Sequence, residues 1–284
     1  MEKIAVVTDT GSNLSFAQAK ELGIYLLPLQ ITIDETTYQD TLEISTQDIY
    51  KELAKGKMPK TSMAAYQKIY DLFEELKKEY DTVFAIPLTN GLSTNASTMQ
   101  SIARELEMNV HVIDMYATCA LEKHVAIWIK KLVDEHKSSE EILKIIQPAI
   151  DESNSLILVK NLQHLKRGGR LTPMAATLAG LLKIYPVLHI NKSTEGRIDV
   201  LNKVRTEKRA DAYAIDKVID DIDIEHTVIY IIHSDFLEGA NHFKKCFIEK
   251  GVPEQNIHID YISSVIAVHT GLGCIAIQYI REEN

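Results

Sequence analysis

Hydroxyl-rich segments follow two predicted strands and precede a helix, and this placement indicates an edge that can bind an anion. Thr8-Asp9-Thr10 follows the first strand, Gly91-Leu92-Ser93-Thr94 follows another, and Thr61-Ser62 opens a predicted helix. Ligands of open parallel sheets bind outside the carboxyl ends of the strands, where a helix starting near Leu92 offers free N–H groups. The segments together predict an anion held by neutral hydroxyl groups, although each one alone is explained as a helix N-cap.

His269 lies in an uncharged stretch, residues 261–280, and is followed by Gly271 and Gly273. A neutral imidazole can donate one hydrogen bond to a buried carboxylate, and an imidazolium can pair with it. The glycines would let a ligand or a backbone approach closely. The residues alone leave two interpretations open, a satisfied core histidine and a ligand-binding one.

The most concentrated basic patch is Lys166-Arg167-Gly168-Gly169-Arg170. A helix C-terminus with a left-handed glycine and cations near the helix dipole explains Lys166 and Gly168. It explains Arg170 less well, because Arg170 lies beyond both glycines. An exposed arginine at that position can pair with a carboxylate or phosphate of a partner.

A serine acyl hydrolase is the alternative function. The chain order Ser93, Asp114 or Asp235, then His269 is the order of an α/β-hydrolase triad. The nucleophile elbow requires G-x-S-x-G, and Asn95 occupies the position of its last glycine. The motif therefore disfavours an esterase that would use Ser93 and His269.

Two α/β domains are predicted to position these residues. In the first half, short apolar strands alternate with amphipathic helices, which predicts a parallel sheet covered on both faces, a three-layer α/β/α unit. In the second half, 184–190 and 198–204 flank the turn-like Ser193-Thr194-Glu195-Gly196, which adds an antiparallel hairpin and predicts a mixed sheet. We place the domains at residues 1–160 and 161–284.

Composition excludes several classes of protein. The 284 residues carry a formal net charge of −9, which disfavours general nucleic-acid binding and leaves at most transient membrane contact. The three separated cysteines indicate reduced thiols in a cytoplasmic protein, without a disulfide or metal framework. No phosphate-binding glycine motif is present, so no nucleotide cofactor is expected. The many polar groups within 261–280 predict a buried strand, turn and helix instead of a membrane span.

The ordered motifs resemble those of DegV proteins, the fatty-acid-binding subunits of bacterial fatty acid kinase. The resemblance covers nearly the whole chain and is carried by Thr8-Asp9-Thr10, Thr61-Ser62, Gly91-Leu92-Ser93, Val112-Ile113-Asp114, Leu165 to Arg170 and His269-Thr270-Gly271. The sequence departs from the family pattern at Met63-Ala64, Thr94-Asn95, Met115 and Leu272.

The resemblance implies a two-domain DegV-like fold that buries one long-chain fatty acid between its domains and performs no chemistry alone. Its motifs assign the carboxyl group to Ser62, with Thr61 beside it, and to Ser93 and His269. Thr94 and Thr270 fall in the same motifs and complete the expected ligand-binding set. A separate ATP-dependent kinase subunit would phosphorylate the carboxyl group to an acyl-phosphate for phospholipid synthesis, and Arg170 is implied in docking that subunit.

Overall fold

The structure is a computed structural model that describes residues 2–180 and 183–282. Its strands are β1 (Ile4–Asp9), β2 (Tyr25–Leu27), β3 (Gln30–Ile33), β4 (Thr36–Gln39), β5 (Lys60–Ser62), β6 (Thr82–Ile86), β7 (Val110–Val112), β8 (Asn154–Leu158), β9 (Tyr185–Ile190), β10 (Asp199–Val204), β11 (Thr227–His233), β12 (Ile257–Tyr261) and β13 (Ile275–Arg281). Its α-helices are α1 (Phe16–Leu22), α2 (Thr46–Ala54), α3 (Tyr66–Leu76), α4 (Asn95–Glu105), α5 (Ala120–Asp134), α6 (Ser139–Glu152), α7 (Leu162–Arg167), α8 (Pro173–Leu178), α9 (Glu207–Asp221), α10 (Leu237–Glu249) and α11 (Ser264–Thr270).

A four-stranded parallel sheet forms the first half, in the order β2-β1-β6-β7. Successive side chains of a strand point to opposite faces, so Val7 and Ala85 join one apolar cluster while Val6 and Phe84 join another. Helices α3 and α4 contribute to the first cluster, and α5 and α6 contribute to the second. The predicted parallel sheet with both faces covered is confirmed.

A six-stranded mixed sheet forms the second half, in the order β10-β9-β8-β13-β11-β12. The β11–β12 pair is parallel, and the other neighbouring pairs are antiparallel. The predicted hairpin is β9–β10, and its turn places Glu195 and Gly196 at φ of 53° and 70°. Helices α9 and α10 cover one face of this sheet. The predicted mixed sheet is therefore confirmed.

One apolar cluster joins the two sheets, because it contains Val83 of β6 together with Ile157 of β8 and Ile232 of β11. The division into domains at residue 160 stays a prediction. Strand β8 ends at Leu158, before that division, but it belongs to the sheet of the second half, because it pairs with β9 and β13. A division by sheets therefore falls before Asn154, ahead of the proposed boundary.

A third, three-stranded antiparallel sheet in the order β4-β3-β5 was not predicted, nor was helix α2. The strand-forming run 24–33 is divided between β2 and β3, because Pro28 has no N–H group for a ladder hydrogen bond. This small sheet matters for the site, since β5 carries Thr61 and Ser62.

The uncharged stretch 261–280 folds as helix α11, a turn and strand β13, so the predicted kinds of element are present but the strand follows the helix instead of preceding it. Among the helices of residues 2–180 and 183–282, none combines the length and apolar content that a bilayer-spanning segment needs.

Candidate functional site

The predicted site residues converge on one cavity of about 400 Å³. Strand β5, the loop between β6 and α4, helix α11 and the segment after α7 form its wall. The wall contains all seven residues that the sequence singled out, namely Thr61, Ser62, Ser93, Thr94, Arg170, His269 and Thr270. It also contains residues without a strong sequence signal, chiefly Leu29, Ile198, Val265 and Ile266.

His269 has hydrogen-bond partners at both ring nitrogens. Its Nδ1 lies 3.1 Å from the carbonyl oxygen of Gly168, and its Nε2 lies 2.7 Å from the Thr61 hydroxyl. Burial, reinforced by the positive charge of Arg170, lowers the pKa of His269 to about 4. The imidazole of the site is therefore neutral at pH 7.

Thr61, and not Ser62, faces His269. Thr61 and Ser62 are neighbours on β5, paired with Ile31 and Gln30, and neighbouring residues of a strand point to opposite faces. The Ser62 side chain is exposed and donates to Gln30 Oε1 at 3.0 Å. Both residues line the cavity, but the pleat of β5 directs the threonine to the imidazole.

The hydroxyl groups of Ser93, Thr94 and Thr270 differ in whether their proton is available to a ligand. Ser93 Oγ accepts the backbone N–H of Asn95 at 3.2 Å, and within the described residues its own proton goes to no protein acceptor. Thr94 donates to the sulfur of Met63, and Thr270 donates to the Ile266 carbonyl of its own helix. Ser93 is consequently the hydroxyl donor that remains available.

The loop carrying Ser93 is anchored by the buried carboxylate of Asp9. Asp9 accepts the N–H of Gly11 at 2.8 Å, the N–H of Leu88 at 2.9 Å and the amide of Asn95 at 2.6 Å. These bonds join the ends of β1 and β6 to the start of α4. Burial and the charge of Asp9 raise the pKa of neighbouring Glu122 well above its ordinary value.

The β9–β10 hairpin packs directly on the same loop. A Cβ atom added at Gly91 would lie 2.1 Å from the Gly196 carbonyl oxygen, and one added at Gly196 would lie 2.0 Å from Thr89 Oγ1. Only glycine permits this approach, and Gly196 also has a φ of 70°. Both glycines lie in turn-like sequences, but nothing in those sequences indicates that the turns meet.

Arg170 is half-buried and lies at the cavity, while its predicted role in docking a kinase subunit stays a prediction. Its Nη1 donates to the Gly168 carbonyl at 2.9 Å, and its Nε donates to the Leu92 carbonyl at 3.4 Å. Helix α7 ends before the glycine pair as predicted, but the left-handed glycine is Gly169, at φ 73°, and not Gly168, which has a right-handed helical conformation. Gly169 turns the chain toward the loop between β6 and α4. Arg167, in contrast, remains exposed on α7.

Apolar side chains continue from the site into the core between the two sheets. A second cavity, of about 20 Å³, shares Ile266 and Thr270 with the first and is lined mainly by Ile157, Ile190, Ile232 and Ile262. A larger cavity of about 740 Å³ lies near Lys160 and Phe236 but contains none of the predicted residues. We favour the smaller site, because a few polar groups converging beside apolar walls are typical of ligand pockets.

The arrangement lacks the contacts of a serine hydrolase. A nucleophilic serine needs a hydrogen bond to its base, whereas the His269 nitrogens bond to Thr61 and Gly168. Asp114, one of the two candidates for the acidic member beside Asp235, accepts the N–H groups of Asn90 and Tyr116. Within the described part of the chain, the geometry therefore fits binding of an acidic group better than activation of Ser93.

Comparison with known proteins identifies the family. The family model for uncharacterised proteins of the DegV family matches residues 3–282. A DegV domain-containing protein of Halalkalibacterium halodurans is 32% identical over the whole of both chains. The fatty acid binding DegV family protein of Streptococcus agalactiae has a TM-score of 0.91 at 29% identity, with both chains fully covered. DegV of Bacillus subtilis, a fatty acid binding protein, has a TM-score of 0.87 at 27% identity, covering 99% of this chain and 100% of its own. The chain therefore belongs to the DegV family.

Proposed function

We propose that this protein binds one long-chain fatty acid, with the carboxyl group at Thr61, Ser93 and His269 and the acyl chain directed into the core between the sheets. The convergence of these three polar side chains at a cavity that adjoins apolar walls carries the proposal. The fatty-acid binding of the Streptococcus agalactiae and Bacillus subtilis relatives supports it.

Burial of the acyl chain supplies the main driving force. Each buried methylene contributes about 0.8 kcal/mol, so roughly fifteen contribute about 12 kcal/mol before ordering costs. This gain exceeds the cost of removing the carboxyl group from water when that group is hydrogen-bonded. The small cavity beyond Thr270 measures only about 20 Å³, so the side chains around it must move aside to admit a long chain.

One long-chain fatty acid should accompany the freshly purified protein. Native mass spectrometry is expected to show one added mass, and organic extraction should release it as a free acid. A cavity that stays empty and takes up no fatty acid after incubation would contradict the proposal. A covalent fluorophosphonate adduct on Ser93, with hydrolysis of acyl esters, would favour the hydrolase alternative.

We further propose that the bound acid is presented to a separate ATP-dependent kinase subunit, which forms the acyl-phosphate, while this chain contributes binding alone. Arg170 lines the cavity and its guanidinium bonds the carbonyl groups of Leu92 and Gly168, so a partner that reaches the carboxyl group would meet it there. Truncating an arginine anchor of an interface can cost about 2 kcal/mol or more.

Arg170→Ala should accordingly lower the phosphorylation rate by at least about tenfold at matched fatty-acid occupancy. Arg167→Ala is the matched control, because Arg167 is an exposed cation three positions earlier on α7. Occupancy is measured by extraction in each sample before the kinase assay. Equal rates for wild type and Arg170→Ala would remove Arg170 from the docking surface.

A further inference from the structure

Neutral His269 and Thr61 have one ring N–H and one hydroxyl proton between them for their hydrogen bonds. The Gly168 carbonyl can only accept, so the ring N–H of His269 is on Nδ1. In a neutral imidazole the other nitrogen, Nε2, is then an acceptor. Thr61, 2.7 Å away, must therefore donate its hydroxyl proton to Nε2.

This arrangement leaves Thr61 without a proton for a ligand. A hydroxyl group has one O–H donor, and an ionised carboxylate can only accept. While the hydrogen bond between Nε2 and Thr61 is kept, Thr61 can donate to a carboxylate only if Nε2 carries a proton and its N–H donates a hydrogen bond to Thr61 Oγ1. In that state Nε2 donates to Thr61, Thr61 donates to the carboxylate, and Nδ1 still donates to Gly168.

The charges around His269 make protonation of its imidazole depend on whether a carboxylate ligand is bound. Arg170 and His164, both from the α7 segment, disfavour the imidazolium, and His164 itself bonds the Val268 carbonyl at 2.8 Å. Strand β5 contributes the neutral Thr61, and the acidic Asp40 bonds Ser264 at the far end of α11. A carboxylate entering the cavity adds a negative charge beside Thr61, which favours the charged imidazole.

We propose that the site binds a fatty-acid carboxylate together with one proton, which His269 takes up and Thr61 couples to the ligand. This inference rests on the proposed function, since it requires a carboxylate ligand. It predicts that affinity is highest in mildly acidic solution and falls as pH rises. If Arg170 alone neutralised the carboxylate, binding would exchange no proton.

The test uses delipidated protein and decanoate below its micellar concentration, titrated by calorimetry in phosphate and in Tris. These buffers differ in ionisation heat, so the difference in observed heat gives the protons taken up. Wild-type protein should take up close to one proton near pH 6. Its Kd should rise by up to about tenfold per pH unit between about pH 5.5 and about pH 7.5, where free decanoate is ionised.

His269→Gln is the matched variant, because its side-chain amide can donate to Thr61 but does not titrate. It should bind more weakly, exchange no proton and show a flat pH profile. Wild-type binding without proton uptake would overturn the inference while leaving the proposed function intact. Uptake that persists in His269→Gln would place the proton on the ligand and also overturn it. A protein that binds neither decanoate nor palmitate at any pH would overturn the proposed function, and the inference with it.

Discussion

Replacement of Asp9 by alanine is expected to lower the free energy of unfolding by about 3–5 kcal/mol, because three buried donors lose their acceptor. The substitution removes the acceptor of two backbone N–H groups, those of Gly11 and Leu88, and of the Asn95 amide. Asp9 is fully buried, and each buried donor left without a partner costs about 1–3 kcal/mol. Relief of the desolvated charge offsets part of this loss.

Urea unfolding at neutral pH measures the effect, with Asp71→Ala as the control. Asp71 is exposed on α3, where its carboxylate bonds Gln67 four residues earlier, so its removal should change stability by no more than about 0.5 kcal/mol. A loss below about 1 kcal/mol in Asp9→Ala would mean that other acceptors or water replace the carboxylate. The loop carrying Ser93 would then not depend on Asp9.

Ser93→Ala should weaken fatty-acid binding by about 10- to 150-fold, which corresponds to losing one hydrogen bond to a charged group at about 1.5–3 kcal/mol. Ser93 is the hydroxyl donor still available at the cavity, and among the described residues its side chain makes a single hydrogen bond, the one it accepts from the Asn95 N–H. The melting temperature should therefore change little. Direct titration with palmitate measures the affinity.

Ser97→Ala is the control for this prediction. Ser97 lies on the same helix, α4, but is exposed and donates to the Thr94 carbonyl. The Ser97→Ala variant should bind palmitate like the wild type.

His269→Ala is also expected to weaken binding, although its bonds to Thr61 and Gly168 make some loss of stability part of the result. Unchanged affinity in both Ser93→Ala and His269→Ala would place the carboxyl group elsewhere.

The sequence predicted most of the regular elements because their signals are local. The bounds of α9 (Glu207–Asp221) and α10 (Leu237–Glu249) follow from an apolar periodicity and from turns at each end. The β3–β5 sheet and α2 were missed, since three-residue strands such as β5 carry almost no periodic signal. All seven predicted residues line one cavity, whereas periodicity did not predict the small sheet; that this cavity is the binding site stays a prediction.

By itself the sequence determined the two sheet types, the hydroxyl-rich segments and the candidacy of His269, because strand pattern and residue chemistry depend on neighbours along the chain. Tertiary structure alone decided which side chains and turns of the site contact one another. The β5 pleat, and not the motif, selects Thr61 over Ser62 for His269. The turn at Gly169 brings Arg170 to the loop between β6 and α4, and Gly91 meets Gly196 across the two halves. These contacts join residues far apart in sequence, and their geometry is set by packing of the whole chain, which no local pattern records.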